Sequence, residues 1–431
     1  MILRLSSPAA RGFLVLLALA LAAALSYSGI RNTLSIHEAE LNTAEGYRRA
    51  TQLEPDDARN WYLLGRYWQY NLEDPDNQRA IRAYQTALSF DSHSADIWLD
   101  LATAYESQGN VAAARNAFLQ ASRLYSLSPE VSWRYGNFLL RRGELDAAFA
   151  EIKHAVEADP KRGAAAFALC MRFEPDVHAV LERVLPHSQD AYINVISGLS
   201  EQQQTDQALI VWSSLAALHP HLDISESYPL LGALIHKRQM TEAHRVWDQA
   251  LAIAGAQRPP DPPGSLVWDG GFESNIANGG FTWYYPSFIG GVQVTFDAKE
   301  KHSGNRSLRL TFNGLQNVNF NDVCQYVAVQ PSTSYRFSAW VRVRDISTDQ
   351  GVRFGLHSLS ESVNSIAWTE DVKGTQPWTQ VELPWTSGND VGELLLCVTR
   401  QPSAKFDNKI RGSAWIDDVV LVPQPAESTK Q

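Results

Sequence analysis

The sequence predicts a multidomain α + β chain: an N-terminal membrane helix, an all-α solenoid of helical hairpins, then an all-β jelly-roll sandwich. Three observations carry that prediction. An uncharged apolar run fills Gly12–Ile30, a helical pattern returns about every thirty-four residues from Trp61 onward, and the hydrophobic period changes to two after a proline cluster.

With 431 residues the chain has room for two or three domains, and 45% hydrophobic against 19% charged residues describes globular material. A net charge of -10 argues against a nucleic-acid binder, which needs a basic face to neutralise phosphates.

The first element is the stretch around "FLVLLALALAAAL". Its uncharged residues, at 1.5 Å each in a helix, span roughly 28 Å, about one bilayer core. Arg4 and Arg11 precede it, which places the N-terminus in the cytoplasm and everything after Arg31 outside. Small residues Ala22, Ala24 and Ser26 would also suit a signal peptidase. The run is therefore either an uncleaved anchor, the reading its length favours, or a signal peptide whose removal would release a secreted protein. Residues 1–31 are assigned to this segment. The expected location is a bacterial inner membrane, crossed once, with the bulk of the chain extracytoplasmic. Of the three cysteines, Cys324 and Cys397 both fall in the C-terminal region, where they are either paired or two buried thiols.

The second element, residues 34–257, repeats itself. "WYLLGRYW" carries Trp61, Leu64, Gly65 and Trp68, and "WLDLATAY" carries Trp98, Leu101, Ala102 and Tyr105. Gly65 to Ala102 is 37 residues and Ala102 to Gly136 is 34, the surplus falling in the polar loop "NLEDPDN". Ala114, Phe118 and Ala121, then Ala148, Ile152 and Ala155, mark the second helices, and Ala208–Trp212–Leu215 and Ala243–Trp247–Ala250 continue the pattern. This resembles the tetratricopeptide repeat, a helix–turn–helix unit of that period. Small residues let paired helices approach, and aromatics fill the space between pairs. About six pairs are expected, stacked into a solenoid whose concave groove would hold a protein partner. Single histidines such as His154, His178 and His244 read as surface residues.

The third element is "QRPPDPPGS", assigned over 258–264 to a stiff linker because proline cannot continue a helix. The fourth, residues 265–423, alternates: "SYRFSAWVRVR" puts Tyr335, Phe337, Ala339, Val341 and Val343 on one face and Trp340 and Arg342 on the other. "VCQYVAVQP", "RFGLHS", "WTQVELP", "ELLLCVT" and "AWIDDVVLV" are further strands. Residues 424–431 are a tail.

"LVWDGGFES", then "HSGNRSLRL", then "WIDDVVL" in this order resembles the carbohydrate-binding modules of the family 4/9 type. Gly270 and Gly271 would let the chain turn where a side chain would clash, and Phe272 would plug the sandwich. The resemblance implies a structural calcium held by Glu273, Asp417 and a carbonyl of the Lys301–Ser303 turn. The alternative is a polar corner with Glu273 bonded to backbone amides.

Sugar recognition needs flat apolar faces with planar polar groups beside them. Parity along the strands sends Phe320, Asp322 and Tyr326 outward on one strand, Trp340 and Arg342 on the next, and Arg353 and His357 on another, with Trp283 in a loop. The expected ligand site is Trp340, Tyr326, Arg342, His357, Phe320 and Trp283. No catalytic residue is assigned: the acids Asp322, Glu361 and Glu370 are not paired by anything in the sequence, as glycoside hydrolysis would require. The expectation is a membrane-anchored scaffold that docks a protein through its repeats and a polysaccharide through its sandwich, in envelope or exopolysaccharide assembly. The alternative is a purely protein-binding scaffold, with a glycan-processing enzyme behind both.

Overall fold

The structure, a computed structural model, describes residues 8–218, 220–259, 261–285, 290–359, 365–389 and 391–424. By internal contacts the chain divides into two compact units, Met1–Pro186 and His187–Gln431.

The first unit is all helix. It contains α1 (Pro8–Glu40), α2 (Ala44–Leu53), α3 (Ala58–Tyr70), α4 (Asn77–Phe90), α5 (Ala95–Ser107) and α6 (Val111–Leu124). α7 (Pro129–Arg141), α8 (Leu145–Ala158) and the short α9 (Gly163–Cys170) and α10 (Val177–Val184) follow. Thr43, Asp57, Asp76, Asn110 and Ser128 each accept an amide hydrogen from the first turn of the helix they precede, which fixes where α2, α3, α4, α6 and α7 begin. Consecutive helices pack in pairs around Ala102, Ala114, Phe118, Ala148 and Ile152, all buried.

Helix α1 ignores the boundary expected near residue 31. Its stretch Arg11–Glu40 is long and apolar enough to cross a membrane, and its apolar side chains up to Ile30 are exposed. One turn later the same helix is packed protein: Arg31 pairs with Glu54 at 2.9 Å, and the buried Ser35 hydroxyl donates to the Ala50 carbonyl. The end of α1 thereby serves as the first helix of the first pair. Among the described residues seven pairs are present where about six were expected.

The second unit opens with α11 (Gln189–Glu201), α12 (Thr205–Ala217), α13 (Tyr228–His236) and α14 (Met240–Ala254). The sandwich follows as β1 (Val292–Asp297), β2 (Ser307–Asn313), β3 (Phe320–Ala328), β4 (Ser334–Ile346) and β5 (Arg353–Ser358). It is completed by β6 (Ile366–Trp368), β7 (Gly374–Thr386), β8 (Glu393–Arg400) and β9 (Arg411–Pro423). A five-stranded sheet in the order β1-β2-β9-β4-β7 faces a four-stranded sheet in the order β3-β8-β5-β6. The expected inward set of β4, Tyr335 to Val343, is buried, and Phe337 meets Phe354 of the opposite sheet at 4.9 Å.

The glycines of "DGGF" now have a cause. A Cβ at Gly270 would run into the Val419 carbonyl oxygen, while the Gly270 carbonyl accepts from the Val419 amide at 2.9 Å. Phe272 is fully buried behind it.

The proline-rich stretch is bonded to the sandwich. Asp261 accepts from the Asp269 and Gly270 amides at 3.0 and 2.9 Å, and Arg258 donates to the Ser265 and Val267 carbonyls. Helix α14 rests on the same entry. Trp247 meets Trp268 at 5.4 Å, and His244, read above as a surface residue, stacks on Phe281 at 4.0 Å. The last two helix pairs belong to the same compact unit as the sandwich.

Candidate functional site

The outer face of the four-stranded sheet follows from its register. Tyr326, Leu395 and His357 lie side by side across β3, β8 and β5, and the next row is Cys324, Cys397, Gly355 and Trp368. Thr399 and Arg353 come next. Cys324 and Cys397 form a disulfide between register partners, which decides between the two readings of these cysteines. Gly355 is buried in this face, and the side chains of its neighbours close over it. A Cβ there would lie 2.8 Å from the Trp368 ring, 2.9 Å from His357 Nε2 and 3.2 Å from Thr399 Cγ2.

Three enclosed polar atoms on this face have no hydrogen-bond partner among the described residues: His357 Nε2, Arg353 Nε and Glu393 Oε1. Such atoms are costly unless something pairs with them. Arg353 is otherwise held by Gln350 at 2.9 Å and lies 3.6 Å from Asp371. Burial pushes the Glu393 carboxyl up to about 7, with Arg238 opposing the rise, and burial lowers the His357 imidazole below its ordinary value. The half-buried rings of Trp368 and Tyr326 flank these groups, and Tyr326 is braced edge-on by Tyr284 at 5.8 Å. Aromatic faces beside planar donors and acceptors are what a pyranose ring with its hydroxyls requires.

Of the expected site residues, Tyr326 and His357 come together here. Trp340 and Arg342 do not: β4 belongs to the other sheet. The Trp340 face is taken by His302, stacked at 4.0 Å with a 15° tilt, and Arg342 pairs with Glu300 at 3.2 Å. Phe320 is fully buried instead of outward, because β3 carries a bulge between Asn321 and Val323 that reverses the parity before it. Trp283 is also core. It lies at 2% exposure over Phe272, and its indole donates to the Asp269 carbonyl at 3.0 Å. Glu361 lies outside the described residues.

Residues 72–162 match the family model of the tetratricopeptide repeat in two overlapping segments, 72–129 and 99–162, and residues 264–405 match that of a carbohydrate-binding domain. The chain joins tetratricopeptide repeats to a carbohydrate-binding-module type of sandwich. Both are non-catalytic kinds of domain. Among solved structures, a family 16 carbohydrate-binding module is 19% identical, with a TM-score of 0.27, over 36% of this chain and 99% of its own. The CBM22-1 xylan-binding domain from Paenibacillus barcinonensis Xyn10C is 16% identical, with a TM-score of 0.28, over 38% of this chain and 97% of its own. YrrB, described as a TPR protein with an unusual peptide-binding site, is 17% identical, with a TM-score of 0.26, over 50% and 95%. No curated protein matches the chain.

Glu273 and Asp417 do converge with the 301–306 turn, but the turn offers them N–H groups. Asp417 Oδ2 accepts from the His302 and Ser303 amides at 2.8 and 3.1 Å, and its Oδ1 accepts from Asp418. Glu273 Oε1 accepts from the Asn305 amide at 2.7 Å and its Oε2 from the Asn305 side chain. Arg306 Nε donates to the Phe272 carbonyl at 2.7 Å, placing a cation at the corner. Each carboxylate oxygen thus accepts from a donor, the arrangement of the polar corner in which Glu273 is bonded to a backbone amide. Asp417 is fully buried, and burial pushes its carboxyl up to about 6.

In the repeats, a cavity of about 690 Å³ opens between α4, α5 and α6, lined by Gln85, Leu88, Trp98, Tyr105, Asn116 and Gln120 among others. Trp98 and Tyr105 are half-buried there, offering ring surface and polar edges together.

Proposed function

We propose that this chain is a membrane-anchored, extracytoplasmic scaffold. It binds glycan across the outer face of the four-stranded sheet and docks a protein segment in the groove of its repeats, in envelope or exopolysaccharide assembly. The observation that carries the glycan reading is the outer face of the four-stranded sheet, where unpartnered His357 Nε2 and Arg353 Nε lie beside the half-buried rings of Trp368 and Tyr326. Sugar hydroxyls would pair with those atoms while the C–H face of the ring lies on the aromatics. The apolar helix α1 supports anchoring, and the Cys324–Cys397 disulfide suits an oxidising compartment beyond the cytoplasm. The cavity between α4 and α6 supports the docking role.

The test is affinity electrophoresis of the detergent-solubilised full chain on a panel of neutral and acidic polysaccharides. Trp368→Ala should abolish retention. Trp340→Ala, on the other sheet beneath His302, should keep retention and cost about 1 kcal/mol of stability through the lost stack. Retention lost in Trp340→Ala and kept in Trp368→Ala would put the site on the wrong sheet. No retention of the wild type on any polysaccharide would leave a protein-only scaffold.

A further inference from the structure

A pocket of about 290 Å³ lies where helix α14 meets the rim of β3, lined by His244, Asp248, Arg258, Trp268, Phe281 and Tyr326 among others. Its size is near the lower end for small-molecule sites, enough for one ring-sized group. Tyr326 belongs both to this pocket and to the first row of the glycan face, so the two are continuous through one side chain. The other wall comes from the repeats.

The pocket has the chemistry of a sugar subsite. Phe281 and Trp268 give it aromatic surface, with the Arg258 guanidinium 5.7 Å from the Trp268 ring. His244 is held by its stack on Phe281, and its enclosed Nε2 has no hydrogen-bond partner among the described residues. Burial lowers the His244 imidazole below its ordinary value, with Asp248 opposing, so the ring stays neutral near pH 7 and offers Nε2 to a hydroxyl. Asp248 is exposed beside it, and Arg258 lies 3.6 Å from Asp261, so acid and base are both present without a dominant sign. That balance suits a hydroxyl-rich neutral ring better than a carboxylated or phosphorylated one.

We propose that this pocket is a second subsite of the glycan face, taking one neutral pyranose ring of the same polysaccharide chain, and that the last repeat hairpin is therefore part of the sugar-binding site. The proposal rests on the glycan reading above. A sandwich cut away from α14 would keep the face around Trp368 and His357 and lose this subsite.

The experiment is calorimetric titration of the detergent-solubilised full chain with a size ladder, dimer to hexamer, of oligosaccharides from xylan, β-glucan and mannan. His244→Phe keeps the stack on Phe281 and removes the nitrogen; Asp248→Ala changes an exposed residue. Each should weaken the longest oligomers roughly tenfold, about one hydrogen bond's effect, and leave the shortest unchanged. Trp368→Ala should lose every length. Wild-type affinity in both His244→Phe and Asp248→Ala, with Trp368→Ala still defective, would overturn the subsite and leave the face standing. A loss independent of oligomer length would overturn it too, since the residues would then act through the face itself. If no oligosaccharide binds the wild type, both readings fall together.

Discussion

Glu393→Gln should remove a pH dependence that the wild type carries in its sandwich. Glu393 is 4% exposed on β8, with Oε1 lacking a partner among the described residues, and burial raises its carboxyl from an ordinary 4.5 to about 7. Because the folded state holds the proton more tightly than the unfolded chain, its contribution to stability is complete below pH 4.5. It is lost as pH rises through about 7. At about 1.4 kcal/mol per pH unit, the interval corresponds to on the order of 3 kcal/mol. Glutamine has the same shape and does not titrate. The stability difference, variant minus wild type, should therefore grow in the variant's favour by roughly 3 kcal/mol between pH 4 and pH 8. Amide hydrogen exchange of β8 peptides in the solubilised full chain, corrected for intrinsic rates, reads this difference locally and avoids the assumption that the whole chain unfolds in one step. Taking the difference cancels other titrating groups, Asp417 included. A difference constant within about 0.5 kcal/mol across that range would show that water reaches Glu393 and would refute the argument.

Three further outcomes are expected. Gly65→Ala puts a Cβ 2.5 Å from the ring of Tyr84, which is fully buried and hydrogen-bonded to Gln69, so α3 and α4 should separate at a cost of about 1–3 kcal/mol in exchange protection. Gly232→Ala, inside α13 with nothing near the added carbon, should instead stabilise by up to about 1 kcal/mol. Alkaline carbonate extraction should leave the mature protein in the membrane pellet with its N-terminus intact; a chain beginning near Ser26 would mean that the apolar run is a signal peptide.

Long uniform patterns were legible in the sequence and short or interrupted ones were not. β4 offers an alternation of many residues, and its inward set is buried as read. On β3 the same parity argument failed at Phe320, because one extra residue at the Asn321/Val323 bulge turns the strand over and nothing in the residue types marks it. Trp368 went unread because three residues of β6 carry no period, although it stands at the centre of the candidate site. The repeat spacing located the close approach of Gly65 to Tyr84, a local relation within one hairpin. The stacking of His244 on Phe281 joins parts of the chain that no periodicity relates, so a histidine that looked like surface is half-buried. Trp340 was read correctly as lying on an outer face, but parity cannot say that a loop histidine covers it.

The continuity of α1 has a mechanical consequence. Thirty-three residues of unbroken helix measure about 50 Å, and the Arg31–Glu54 pair lies one residue past the last exposed apolar side chain of the run, Ile30. With the apolar half in a bilayer, as proposed, there is no slack tether between lipid and first repeat. Reach away from the surface is then set by how far the stacked helices extend, not by a coil that could swing. A partner anchored in the same membrane would meet the first repeats at a fixed height and in a restricted orientation, which raises its effective concentration there without any added contact. Inserting a flexible Gly-Ser segment after Ile30 would leave every binding surface intact and dilute only that advantage.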